Sequence, residues 1–114
     1  MNMAMQLSLS VRIVEAACKT KLNVPFADLV SIAADTGYDA VCMRASAGGV
    51  QTSLDELKRM REIVESKDLH ISMVTADFDV PLNNANGQNS LRDSGPSLDV
   101  AGALGCNLIR VCLK

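Results

Sequence analysis

Four cationic side chains lie near the C-terminal ends of three short apolar runs. Arg12 belongs to Leu7–Ile13 (LSLSVRI), Arg44 to Ala40–Ala45 (AVCMRA), and Arg110 and Lys114 to Leu108–Lys114 (LIRVCLK). A guanidinium is a rigid fork of donors that matches phosphate or carboxylate. The set therefore points to the lining of a site for an anionic or polyhydroxylated ligand. The competing reading is structural pairing with Glu15, Asp77 or Asp79. Glu15, just past the first run, is placed to orient a substrate hydroxyl or Arg12, or to be an exposed loop acid. Thr75 and Asp77 close a further run, His70–Ala76 (HISMVTA); Asp77 alone is a weak signal for a metal or a base. His70 is the sole histidine and begins that run, which puts it at the opposite end from the arginines. Gly48-Gly49 would let backbone N–H groups approach a phosphate, or would simply make a turn. No Walker loop, G-x-G-x-x-G or G-x-S-x-G is present.

These residues need elements to aim them. A strand sends alternate side chains to opposite faces. In the first run Leu7, Leu9, Val11 and Ile13 would share one face, and Ser8, Ser10 and Arg12 the other. In the last run Ile109, Val111 and Leu113 would oppose Leu108, Arg110, Cys112 and Lys114. The pattern predicts strands over 7–13, 39–45, 70–76 and 107–114, separated by helices over 25–36, 53–66 and 96–105. Pro25 suits a first helical position, and Phe26, Leu29, Val30 and Ala33 form an apolar stripe. Ser53 and Glu56 form a capping box ahead of Leu54, Leu57, Met60 and Val64. Leu98, Ala101 and Leu104 mark the third helix, with Ser94 or Gly95 as its cap. Gly37 and Gly105 close the first and third helices.

The resulting β-α-β-α-β-α-β order argues for a parallel sheet with right-handed crossovers. Connections from helix to strand are short. Those from strand to helix, residues 14–24, 46–52 and 77–95, are long and fall on the same side as the arginines. That is where such folds build ligand sites. The longest, DFDVPLNNANGQNSLRDSG, is either a lid or a mobile insertion.

Composition narrows the function classes. The chain has 114 residues, 48% hydrophobic and 21% charged, with a net charge of −2, enough for one globular domain. There is no basic excess and only 3% aromatic residues, which argues against a nucleic-acid partner. No run is long and apolar enough for a bilayer, and the first ten residues lack the basic start of a secretory signal. A cytoplasmic location is expected. Cys18, Cys42, Cys106 and Cys112 form no C-x-x-C pair and are expected to be reduced core thiols.

Four strands and three helices are half of a (β/α)8 barrel, a fold of about 250 residues when whole. The blocks RIVE (12–15), GYDAVCMRAS (37–46), ISMVTADF (71–78) and LGCNLIRVCLK (104–114) resemble the N-terminal half of the sugar phosphate isomerase/epimerase family. These are xylose isomerase-like TIM barrels. The resemblance spans nearly the whole chain but half of the family fold. It implies a divalent metal (Mn, Mg, Co or Zn) held by carboxylates and a histidine, and two glutamates exchanging a proton beside a carbonyl. In the family those ligands come mainly from later strands, so this chain is expected to hold no metal tightly. The substrate-side lining that the resemblance carries onto this chain is Arg12, Glu15, Arg44, Thr75, Asp77, Arg110 and Lys114.

The expected function is the N-terminal part of a metal-dependent sugar or sugar phosphate isomerase/epimerase, inactive alone. Its partners would be a small sugar-like substrate and either a missing C-terminal half or a second copy, with no nucleic acid and no membrane. Two other readings remain: a non-catalytic half-barrel association module, and a small open α/β anion-binding domain.

Overall fold

The computed structural model describes residues 5–80 and 87–113, apart from the side chains of Asp77, Asp79 and Leu113. Four parallel strands form one sheet: β1 (Ser8–Ser10), β2 (Ala40–Met43), β3 (His70–Val80) and β4 (Ile109–Leu113). They lie side by side in chain order. The crossovers carry α1 (Phe26–Asp35), α2 (Leu54–Glu65) and α3 (Gly87–Ala103).

The helices follow from local chemistry. α2 starts where Ser53 accepts the Glu56 N–H at 3.2 Å. The Glu56 carboxylate does not complete a reciprocal box; it takes a two-point bond from Arg59 instead. α1 buries Leu29, Val30 and Ala33 completely. Each such Leu or Val is worth about 1.5–3 kcal/mol against exposure. Pro25 occupies the position before the first helical residue, one earlier than expected. From α2 come Leu57, Met60 and Val64, whereas Leu54 at the helix start is exposed. These side chains pack on Leu9, Val11, Val41, Met43, Ile71 and Val74 in a single core between sheet and helices.

Two expectations fail. The first run is not one long strand: β1 stops at Ser10, and Val11–Val14 forms a 3-10 turn. Ser10 causes the change, because its hydroxyl accepts the Arg12 N–H at 3.2 Å. A serine offers the backbone that local alternative to the sheet ladder. Leu9 and Val11 stay buried, but Leu7 and Ile13 are exposed.

The third helix also begins far earlier than Pro96. β3 runs on to Val80 and α3 starts at Gly87, so most of the expected loop 77–95 is strand and helix. Residues 81–86, with Leu82, lie outside the described residues. Pro96 sits inside α3 on an exposed position. On an exposed face, solvent can reach the carbonyl that proline leaves without a donor. The buried stripe is Ser97, Val100, Ala101 and Leu104, while Leu98 is exposed. That spacing of three, four and seven residues is a helical face; it keeps Ala101 and Leu104 of the expected stripe and has Ser97 and Val100 in place of Leu98.

The sheet has two irregularities. Between Val41↔Ile71 and Cys42↔Met73, β3 carries one extra residue, Ser72. Its hydroxyl bonds the Ser8 hydroxyl at 2.7 Å across the strands. A second shift separates Thr75↔Arg110 from Asp79↔Cys112. Val74, on the core face, is 2% exposed. Alternation then puts Thr75 and its register partner Arg110 on the opposite face, which the helices do not cover.

Candidate functional site

Glu15 leaves the 3-10 turn in extended conformation and pairs with Leu22 in an isolated antiparallel bridge. The loop between β1 and α1 is thus a small hairpin, tied by Asn23 N–H to Val14 O at 2.7 Å and Ala16 N–H to Lys21 O at 2.9 Å. At its tip Lys19 takes a left-handed backbone, φ 62°. Across from Glu15, Arg44 stands one residue past the end of β2, and the chain turns at once. Ala47 N–H and Gly48 N–H both donate to the Arg44 carbonyl.

This turn brings Arg44 and Ser46 onto one carboxylate oxygen. Arg44 Nε donates to Glu15 Oε2 at 3.0 Å, and the Ser46 hydroxyl donates to the same atom at 2.5 Å. The Glu15 side chain is 4% exposed and that of Arg44 is 25% exposed. Burial pushes the Glu15 carboxyl up. The Ser46 hydroxyl, the charge and hydrogen bond of Arg44, and the charge of Arg12 together outweigh it. Its pKa lies below the ordinary value, so it is an anion at neutral pH.

Glu15, Lys19, Arg44, Ala45, Ser46, Thr75 and Ala76 line an open cleft of about 120 Å³. It lies at the C-terminal ends of β2 and the regular part of β3, the expected end of the sheet. Of the residues anticipated from sequence, Glu15, Arg44 and Thr75 meet here. Arg12 is exposed on the 3-10 turn, near enough for its charge to act on Glu15. Arg110 is exposed beside Thr75 in register but does not line the cleft. Asp77 is part of β3, its side chain being outside the described residues, as is Lys114.

Sequence reasoning missed Lys19 and Ser46. Ser46 had a usable signal, two residues beyond Arg44 at the end of an apolar run. Lys19 had none, because its place at the hairpin tip depends on the Glu15–Leu22 pairing.

The phosphate reading of Gly48-Gly49 is overturned. Gly48 N–H is bonded to Arg44 O at 3.1 Å, and Gly49 N–H to Thr52 Oγ1 at 3.1 Å. Both glycines are buried. A Cβ on Gly48 would come within 3.1 Å of Leu57 and Met60. Close packing under α2, not an anion, explains a glycine there.

The cysteine expectation also needs correction. All four thiols are free, but Cys18 is exposed in the hairpin, and Cys42, Cys106 and Cys112 are only half-buried. Among the described residues, no three His, Cys, Asp or Glu side chains come together in a way that could hold a metal ion. Among the described residues, the one carboxylate in the cleft is committed to Arg44 and Ser46, and His70 is exposed at the start of β3. The described residues therefore do not fit a metal centre.

A parallel sheet in chain order, helices on one face and a polar cleft at the strands' C-terminal ends have the form of half a (β/α)8 TIM barrel. Among solved structures, the chain is similar to the probable 3-DHS dehydratase AsbF, involved in petrobactin synthesis, from Bacillus anthracis. The TM-score is 0.69 at 19% identity, over 94% of this chain and 38% of that one. Identity at that level speaks for the fold alone, and the chain spans well under half the length of this neighbour. No family matches the sequence, and no curated protein matches it. Among the described residues, no helix is long and apolar enough to cross a membrane.

Proposed function

We propose that this chain forms the N-terminal part of a metal-dependent sugar or sugar phosphate isomerase/epimerase, acting by proton transfer next to a carbonyl. It contributes the substrate-side wall and is inactive alone. The observation that carries the reading is the Glu15–Arg44–Ser46 cluster in a cleft at the C-terminal ends of a half-barrel's strands. That is where barrel enzymes place substrate. Arg44 and Thr75 supply donors for ligand oxygens, and ionised Glu15 holds Arg44 in place. The described residues offer no metal set, so in this reading the metal and the proton-transfer pair belong to the other half of the barrel.

The test is turnover of an aldose, ketose and sugar phosphate panel with Mn, Mg, Co or Zn. The purified chain should be silent. Supplied with the C-terminal four-strand portion of a sugar isomerase barrel, it should gain interconversion that Arg44→Gln lowers. Robust isomerisation by the chain alone would refute the division of labour. A complemented barrel whose turnover ignores Arg44→Gln would refute the assigned wall.

A second reading rests on the edges. Among the described residues, β1 and β4 each have a neighbour on one side only, and Leu7, Ile13, Leu108 and Val111 nearby are exposed. Unpaired edges with apolar neighbours invite association. In this reading two copies pair as a non-catalytic module. Light scattering after size exclusion decides: a dimer at micromolar concentration supports it, and a folded monomer removes it.

A further inference from the structure

The cleft is cationic in a chain that is not. The molecule carries a net charge of −2, yet the described charged side chains lining this cleft are Lys19 and Arg44 against Glu15, with the Arg12 charge also acting on Glu15. Glu15 occupies Nε of Arg44; a guanidinium has four further N–H donors on its two Nη atoms. Arg44 lines the cleft with a quarter of its side chain exposed. Lys19 lines the same cleft and makes no ion pair among the described residues. Its left-handed φ of 62° is a conformation that glycine adopts without strain and lysine does not. The turn alone does not call for a lysine; the ammonium is the feature that lysine adds.

We propose that Arg44 and Lys19 form a subsite for one oxyanion group of the ligand, a phosphate or a carboxylate, with Glu15 as the positioning residue that aims Arg44. This deepens the reading given under Proposed function and rests on it for the identity of the whole ligand. The cleft, about 120 Å³ and open on one side, has room for one such group. The rest of a ligand would extend over the open inner face past Thr75. Glu15 stays ionised at neutral pH, so the clamp does not release on its own. Thr75 contributes a hydroxyl donor to the cleft wall.

The experiment is a titration of the whole chain with inorganic phosphate, and separately with acetate, at constant ionic strength held with chloride. The readouts are the Arg44 Nε–Hε and Lys19 amide resonances in nitrogen–proton correlation spectra. Saturable shifts with one of the two anions are expected, and the anion that saturates names the group. Arg44→Gln should weaken that binding by about tenfold. Lys19→Gly, which keeps the turn, should weaken it by about threefold. Arg59→Gln on α2 should change nothing. Glu15→Gln leaves the Arg44 charge but frees its side chain, and should broaden the Nε–Hε signal while weakening binding. Absence of saturation with both anions, or saturation that survives Arg44→Gln and Lys19→Gly together in a chain that keeps its far-UV dichroism, would overturn the proposal. Because the readout is binding, a chain that binds oxyanions but never supports isomerisation upholds the clamp and sinks only the catalytic reading.

Discussion

Glu15 combines a nearly buried side chain with a lowered pKa, and the two are compatible because Arg44 and Ser46 take the place of water. Its folded value lies below the unfolded 4.5. The stabilisation is therefore fully present above that pH and is lost as pH falls through the folded value. Glu15→Gln should cost about 1–2 kcal/mol at neutral pH, since Arg44 is partly solvated. It should also remove part of the acid-induced loss of stability. Urea melts at neutral pH and below the carboxylate range check both; equal acid sensitivity of the two proteins would contradict it. Cys18 is a separate case. A hydrogen bond with the Thr20 hydroxyl at 3.1 Å leads the causes that lower its thiol pKa, and it is exposed. Iodoacetamide should modify Cys18 before the other three cysteines, and Thr20→Val should slow that reaction. Mass spectrometry of tryptic peptides reads the order. The sequence named Glu15, Arg44 and Thr75 because strand-end position is legible in a pattern. It could not say that Glu15 pairs with Arg44 rather than Arg12, because that choice depends on the 3-10 turn after Ser10.

Elements with strong amphipathic periods were legible and the polar one was not. α1 and α2 lie where Leu29, Val30, Ala33 and Leu57, Met60, Val64 put them. The start of α3 was hidden because GQNSLRDSGP is polar and glycine-containing, a composition that also suits a loop. Its helical state is set by tertiary packing of the later face, Ser97, Val100 and Ala101. The two helix-closing glycines test local strain. Gly37 (φ 88°) has open space around a would-be Cβ, whereas at Gly105 (φ 71°) that atom would sit 2.6 Å from the Arg61 guanidinium carbon. Alanine at Gly37 should cost about 1–2 kcal/mol from backbone strain alone. At Gly105 the cost should be about 0.5 kcal/mol greater. Arg61 must swing away and give up an exposed bond to Glu65, and such a pair is worth little. In the Arg61→Ala background the excess should vanish. Thermal melts of the four variants decide, and equal losses at both glycines in the parent would contradict the steric argument.

At the scale of the whole molecule, the order of strands and helices carried the topology. Three crossovers of similar length, if right-handed as the general rule has it, leave few arrangements other than neighbours in sequence becoming neighbours in the sheet. The same order sends the polar strand ends to one rim. Arg44 and Thr75 meet there, and Arg110 stands beside Thr75 on β4. What the pattern could not carry was the sheet's irregularity. The extra residue Ser72 and the shift after Thr75 change which side chains share a face, and neither leaves a mark in an apolar run. The open inner face and the two single-sided edge strands explain why the functional reading assigns half of a site to this chain.

All of this depends on Glu15 gripping Arg44 across the mouth of the half-barrel. The most direct measurement is the Arg44 Nε–Hε resonance of the intact chain followed from neutral pH into acid. A slowly exchanging signal that persists until Glu15 protonates, and that is broadened already at neutral pH in Glu15→Gln, is the predicted result. A signal averaged with water at neutral pH, indifferent to Glu15→Gln, would contradict the account.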